Sequence, residues 1–216
     1  MPDNKPALCF IGFGEAGQAI AAGLRDEGVV IAAWDILFPE AKGEKLKRAA
    51  DVIGVRCATS AADALRDADM IVSAVTAAAS VDAALSVRPH LAGRPYFLDI
   101  NSVSPARKQE TEKLFADGAR YVDVAVVAPI YPARHQTPLL LAGPHAEAVA
   151  PLLAALSMRA SVAGPGVGAA AAIKMIRSVI MKGMEALTLE CFLAAARAGV
   201  VDEVAGSLKN NYPGLD

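Results

Sequence analysis

The sequence predicts an α/β protein: a doubly wound, mostly parallel sheet followed by a long helix and an incomplete all-α C-terminal domain. Three observations predict it. From Ala7 to about Ala163, short apolar runs alternate with helical patterns, the rhythm of strands whose connecting helices cover both faces of a sheet. The first apolar run leads directly into a glycine-rich turn and then a helical pattern. At Gly164-Pro-Gly-Val-Gly168 a cluster of chain-breakers ends the rhythm, and roughly thirty residues follow with no break signal beyond Gly183.

In chain order, strands are expected at 7–12, 29–34, 52–57, 69–75, 95–100 and 120–127, with weaker ones at 138–142 and 159–163. Helices fill the intervals. Ser60, with Asp63 following, and Ser104, before a Pro105 suited to a first helical position, mark two helix starts, and Ala146 marks a third. Residues 169–198 read as one long helix, and Gly199-Val-Val-Asp202 opens a shorter one that stops before Pro213. The breaker therefore separates a domain of residues 1–163 from one of residues 164–216.

Composition narrows the function. Hydrophobic residues make up 54% of the 216 and charged residues 20%, which excludes a disordered chain. The 21 basic and 23 acidic residues nearly cancel, so no overall field draws the chain to nucleic acid or an anionic membrane. Cys9, Cys57 and Cys191 are odd in number and widely spaced, with no His cluster nearby, so neither a disulfide framework nor a metal site is expected. The N-terminus lacks a basic region before its apolar stretch, which Glu15 interrupts, and the Ala-rich start of the long helix is too short to span a bilayer. A soluble, cytoplasmic protein is the expectation.

The first strand runs into Gly12-Phe-Gly14-Glu-Ala-Gly17, after which Ala16, Ile20, Ala21 and Leu24 recur at helical spacing. In a dinucleotide-binding turn, Gly12 allows the sharp bend, Gly14 lets the backbone reach a pyrophosphate and Gly17 lets helix and strand pack closely. The helix start then presents N–H groups and positive dipole to the phosphates. The alternative is a tight strand–helix turn in another α/β fold. The second strand ends at Asp35, 23 residues after Gly12, where a carboxylate can accept hydrogen bonds from the adenosine ribose. That carboxylate repels a 2′-phosphate, and no Arg follows in Ile36-Leu-Phe-Pro39, so NAD is favoured over NADP. Asp35 can instead simply cap the loop that follows it. Ser73-Ala-Val-Thr76 and Asp99-Ile-Asn101-Ser102 stand at later strand ends, where such a Rossmann-type sheet places ligands. Their small polar side chains suit a nicotinamide ribose and amide, and equally suit helix caps.

IGFGEAGQAIAAGL, the Trp34-Asp35-Ile-Leu-Phe38 strand end, LDINSVSP at 98–105 and the Gly-x-Val-Gly approach to Lys174 occur in the order seen in the β-hydroxyacid dehydrogenases. The chain resembles that family, which includes 3-hydroxyisobutyrate and 6-phosphogluconate dehydrogenases. The resemblance implies that Gly12, Phe13, Gly14, Glu15, Ala16 and Gly17 form the pyrophosphate loop. It also implies that Asp35 meets the adenosine ribose, that Val75, Thr76 and Ser102 line the nicotinamide side, and that Lys174 is the catalytic lysine. Two stretches depart from the pattern. Where the family commonly has Asp-Ala-Pro-Val-Ser-Gly-Gly this chain has Asp123-Val-Ala-Val-Val-Ala-Pro129, and where it has Lys-x-x-Asn-Asn this chain has Lys174-Met-Ile-Arg177-Ser178. KMIRSVIMKGMEAL looks closer to a branch with a distinctive small C-terminal helical domain. Members of that branch usually continue past the Pro-Gly at 213–214, which implies that this sequence stops inside its second domain.

On the long helix, Arg177, Ser178, Lys182 and Glu185 all fall within about 80° of Lys174 at about 100° per residue. Burial and a neighbouring cation both lower a lysine toward neutrality, where it can take a proton from an alcohol or return one to a carbonyl. Arg177 offers a planar fork for a substrate carboxylate, Lys182 a second charge, and Ser178 and Asn101 polar contacts. The same pattern is also that of a solvated helix face. His90, His135 and His145 fall in or beside loops and are expected at the surface, although His135 with Arg134 has a route to the cleft. Glu190 falls on another helix face and is expected to be structural.

The expectation is NAD-dependent hydride transfer involving a small carboxylate-bearing hydroxy acid, by a homodimer paired through the long helix. An imine or semialdehyde reductase is the nearest alternative, and a non-catalytic dinucleotide-binding or assembly protein is the alternative of another class.

Overall fold

The computed structural model describes residues 5–116 and 118–211. These form two compact units that divide between Lys174 and Met175. The first carries an eight-stranded sheet: β1 (Leu8–Ile11), β2 (Ile31–Trp34), β3 (Arg56–Cys57), β4 (Met70–Ser73), β5 (Tyr96–Asp99), β6 (Arg120–Val126), β7 (Leu139–Ala142) and β8 (Ala160–Gly164). Their spatial order is β3-β2-β1-β4-β5-β6-β7-β8. The first six run parallel, β7 is antiparallel to β6, and β8 follows the direction of β7. The connection 127–138 carries only a short 3₁₀ turn at Arg134–Gln136 and no crossover helix, so β7 returns antiparallel.

Alternation along the strands builds two cores. Leu8 and Phe10 face α1 (Glu15–Asp26), α2 (Glu44–Ile53) and α6 (Ala146–Ala154), packing with Ile20, Leu24, Ala50, Val149 and Leu153. Cys9 and Ile11 face the other way, toward α3 (Ala61–Ala64), α4 (Ser80–Val87) and α5 (Pro105–Phe115), and join Ala84, Val87, Phe97 and Phe115. Each large apolar side chain so buried contributes about 1.5–3 kcal/mol. The expected caps are in place. Ser60 Oγ accepts from Asp63 N, and Ser104 Oγ accepts from Arg107 N with Pro105 in the first turn.

The expected strand at 52–57 is corrected. Val52 and Ile53 instead end α2, with Val52 88% exposed, and Gly54 closes that helix at φ 79°, leaving only Arg56–Cys57 to pair with β2. The long helix α7 (Ala169–Ala198) and α8 (Val201–Asn211) have the expected extents, while the Pro213 stop lies outside the described residues. The two units divide later than the breaker. Asp123 Oδ2 accepts hydrogen bonds from Gly168 N at 3.0 Å and Ala171 N at 3.2 Å, so residues 169–174 of α7 stay with the sheet.

His135 is not at the surface and does not reach toward the strand ends. It is 5% exposed and lies against α1, so close that a Cβ on Gly23 would overlap its ring, and Arg134 pairs with Asp26 at 2.8 Å. Neither ring nitrogen has a hydrogen-bond partner among the described residues, and burial pushes the His135 pKa below its ordinary value against the opposing charge of Glu27. Its folded-state value thus lies below its unfolded one. The associated stability is present above about pH 6.5 and is lost as pH falls through the lowered value. Thermal melts should show the wild type losing more stability than His135→Leu between about pH 7 and about pH 5; parallel profiles would remove His135 as the cause.

Candidate functional site

The site is built at the carboxyl ends of the strands, around the point between β1 and β4 where the strand order reverses. Gly12 leaves β1 at φ 88°, donates its N–H to Trp34 O at 2.8 Å, and has no room for a Cβ against Ala74 O. Phe13 then turns inward. Its side chain is fully buried, edge-on to Phe10 and Phe38, which anchors the loop to the core. Gly14 begins α1 with no side chain capping it and nothing within 4 Å of where a Cβ would stand. The backbone at Gly14 and Glu15 is therefore exposed at the positive end of a helix, the arrangement that holds a phosphate.

Asp35 caps the loop that follows it and also holds the glycine loop. Oδ1 accepts from Leu37 N at 2.9 Å, capping the following turn, and Oδ2 accepts from Phe13 N at 2.8 Å, tying the turn to the glycine loop. Each oxygen retains lone-pair capacity for a ribose hydroxyl. Beside it lies a cavity of about 350 Å³, within the range of small-molecule sites, lined by Gly12, Asp35, Ile36, Val75, Ala79 and Asp82 among others. Its apolar walls, acidic rim and adjoining helix terminus fit the adenosine half of a dinucleotide.

Val75, Thr76 and Ser102 stand on the neighbouring loops. Val75 N donates to Asn101 Oδ1 at 2.7 Å, and Asn101 Nδ2 donates to Ser73 Oγ at 2.9 Å. Asn101, expected among the substrate contacts, is 4% exposed with its amide committed on both sides, so its role is to hold Val75 in place. Ser102, the next residue, is exposed, and its Oγ accepts from Lys174 Nζ at 2.8 Å. Thus the β5–α5 loop and the start of α7 present a hydroxyl and an amine together. Arg177, Ser178 and Lys182 continue along α7 in the second unit.

Beneath these loops lies a charged group that sequence reasoning missed. Lys108, 1% exposed, donates to Asp99 O and pairs with Asp99 Oδ1 at 3.0 Å and Asp123 Oδ1 at 3.5 Å. Tyr121 donates its hydroxyl to Asp99 Oδ2 at 2.7 Å, and burial together with Asp99 pushes its pKa far above the ordinary phenol value. Among the described residues no group of three or more His, Cys, Asp or Glu is placed to hold a metal, and no helix is long and apolar enough to cross a membrane.

Residues 7–168 match the family model of the NAD-binding domain of 6-phosphogluconate dehydrogenase. A conserved hypothetical protein from Sinorhizobium meliloti 1021 is 37% identical at a TM-score of 0.81, over 99% of this chain and 72% of that one. A conserved protein of unknown function, described as structurally similar to 3-hydroxyacid dehydrogenases, is 30% identical at a TM-score of 0.80, over 96% and 77%. The imine reductase of Myxococcus stipitatus, solved as a V8 variant with NAD+, is 26% identical at a TM-score of 0.80, over 97% and 72%; a further structure of that reductase holds NADP+.

Proposed function

Because the chain belongs to the family of the 6-phosphogluconate dehydrogenase NAD-binding domain, we propose that it is a nicotinamide-dependent oxidoreductase with Lys174 as its proton-transfer group. The substrate is a small hydroxy acid or its carbonyl counterpart. The single observation that carries this reading is the 2.8 Å hydrogen bond from Lys174 Nζ to Ser102 Oγ, beside the loop of Val75 and Thr76. When bound, the nicotinamide supplies the hydride acceptor or donor. Lys174 Nζ takes the hydroxyl proton as the carbon–hydrogen bond breaks, and returns it to the carbonyl oxygen in reduction. Ser102 Oγ orients the amine, and Asn101 keeps the Val75 backbone in register. Arg177 supplies a fork for the substrate carboxylate, with Ser178 and Lys182 as further polar contacts.

NAD is the proposed cofactor in preference to NADP. Asp35 and Asp82 line the proposed adenosine cavity, and among the described residues no Lys or Arg lines it, so a 2′-phosphate would meet carboxylates without a compensating cation. Reduction of an imine is the second reading, favoured by the likeness to the Myxococcus stipitatus reductase; Lys174 would then protonate nitrogen instead of oxygen. A second copy of the chain is the proposed partner. Ile176, Val179, Ile180, Met184 and Leu187 recur along α7 and are each more than 60% exposed, an apolar stripe of the kind that two-fold pairing buries.

Titrations should give NAD a Kd at least about tenfold below that of NADP, a gap of about 1.4 kcal/mol that Asp35→Asn narrows. Tighter NADP binding would overturn the role of Asp35. Across a panel of hydroxy acids, semialdehydes and imines, Lys174→Met should lower kcat by about 10²–10⁴ while leaving NAD affinity intact; a loss under about tenfold is too small for the proton-transfer group. Cofactor binding with no turnover on any of the panel would favour a non-catalytic dinucleotide-binding protein. Light scattering at micromolar concentration should report a dimer, and a monomer there would remove the proposed pairing.

A further inference from the structure

Lys108 is a charged side chain almost wholly removed from water, and the chemistry proposed above makes no use of it. It sits one turn into α5, in a stretch rich in charged residues, where an ordinary lysine would extend into solvent. Taking an ammonium out of water is unfavourable unless charges and acceptors replace the solvent. Here they do. Nζ meets Asp99 O, Val124 O at 3.5 Å, Asp99 Oδ1 at 3.0 Å and Asp123 Oδ1 at 3.5 Å.

The two carboxylates are register partners on adjacent strands, Asp99 on β5 and Asp123 on β6, so without a cation they would face each other as like charges. Each leads to one side of the reacting edge. Asp99 Oδ1 also accepts from Asn101 N at 3.0 Å, and Asn101 holds Val75 while its neighbour Ser102 meets Lys174. Asp123 Oδ2 accepts the Gly168 and Ala171 amides that start α7, whereas Asp123 Oδ1 has no hydrogen-bond partner among the described residues and lies 3.5 Å from the Lys108 ammonium. Lys108 thereby selects the orientation of Asp123 that aims Oδ2 at the helix. Gln109 Nε2, donating to Val167 O at 3.0 Å, ties α5 to the same turn.

We infer that Lys108 is a positioning residue: its buried ammonium, shared between Asp99 and Asp123, holds the Ser102 loop and the first turn of α7 in mutual register and so places Lys174. This rests on the proton-transfer role proposed for Lys174. The role is one of charge balance. Lys108→Met leaves two carboxylates and no cation in the core, one net negative charge more than in the wild type. Lys108→Met/Asp123→Asn removes that additional charge and restores the wild-type net charge of the group, while the carboxamide oxygen introduced by the second substitution still accepts the helix amides. A residue that merely filled space would make the double variant no better than the single one.

Three readouts on the full chain test this. Lys108→Met should hold its NAD Kd within about threefold of wild type and lose at least about tenfold in kcat, since small misplacements of reacting groups are costly. The double variant should recover most of that kcat. In NMR hydrogen exchange without substrate, the Gly168 and Ala171 amide signals should be lost faster in Lys108→Met than in wild type and the double variant. A single variant within about threefold of wild-type kcat, or a double variant no better than the single, overturns the inference. If Lys174→Met keeps its turnover, the catalytic reading falls while the amide signals still decide this one. Should Lys108→Met fail to fold and the double variant fold, charge balance is supported; failure of both assigns Lys108 to packing and overturns the proposal.

Discussion

A helix begins with amides that its own geometry leaves unpaired, and at the start of α7 two of these, on Gly168 and Ala171, find the carboxylate of Asp123. The bond is charge-assisted and aligned with the positive end of the helix, which makes it stronger than a neutral backbone contact. It also closes a topological gap. β7 and β8 run against the first six strands, and both end level with Asp123 through the pairs Asp123 with Ala142 and Ala142 with Gly164. The chain leaves β8 at the height of the last residue of β5. Gly168, at φ 99° and against Pro105, then turns it directly into the helix. The meeting of Lys174 with Ser102 follows from that turn.

A second carboxylate works in a similar way at the other end of the sheet edge. Asp35 holds Phe13 N, so the glycine loop is fixed before any ligand arrives, and a hydrogen bond to a charged acceptor contributes about 1.5–3 kcal/mol. The carboxylate proposed to meet the ribose is thus also a part of the framework. Phe13, fully buried between Phe10 and Phe38, explains why a large aromatic stands between two glycines: the residue that contributes backbone to the site contributes its ring to the core.

What could be read from the sequence was what local pattern encodes. The parallel strands were legible because both faces are covered, which writes them as short apolar runs, and the glycine turn was legible because Gly12 and Gly17 stand where a Cβ would meet backbone. The run at 52–57 misled, since Val52 and Ile53 end a helix whose stop signal, Gly54, lies inside the run. His135 and Lys108 were illegible for a different reason. Lys108 stands among Arg107, Glu110, Glu112 and Lys113, and nothing nearby marks it as buried; its partners come from two strands, one of them beyond the far end of its own helix. Asn101 was read as a ligand contact because it stands at a strand end, and only the positions of Val75 and Ser73 reveal that its amide is already engaged.

The strand order has a bearing on how the chain assembles as it is synthesised. β1 is made first yet ends up between β2 and β4, so one of its edges stays unpaired until residues 70–73 have left the ribosome. During that interval Cys9, Phe10 and Ile11 form part of an apolar strand with one ladder open, the kind of edge on which nascent chains associate wrongly. β2 and α1 can cover part of it early, being the next elements to emerge, but the opposite face waits for α3, α4 and α5. Rapid translation of the segment between β2 and β4 would shorten the exposure, and a pause there would lengthen it.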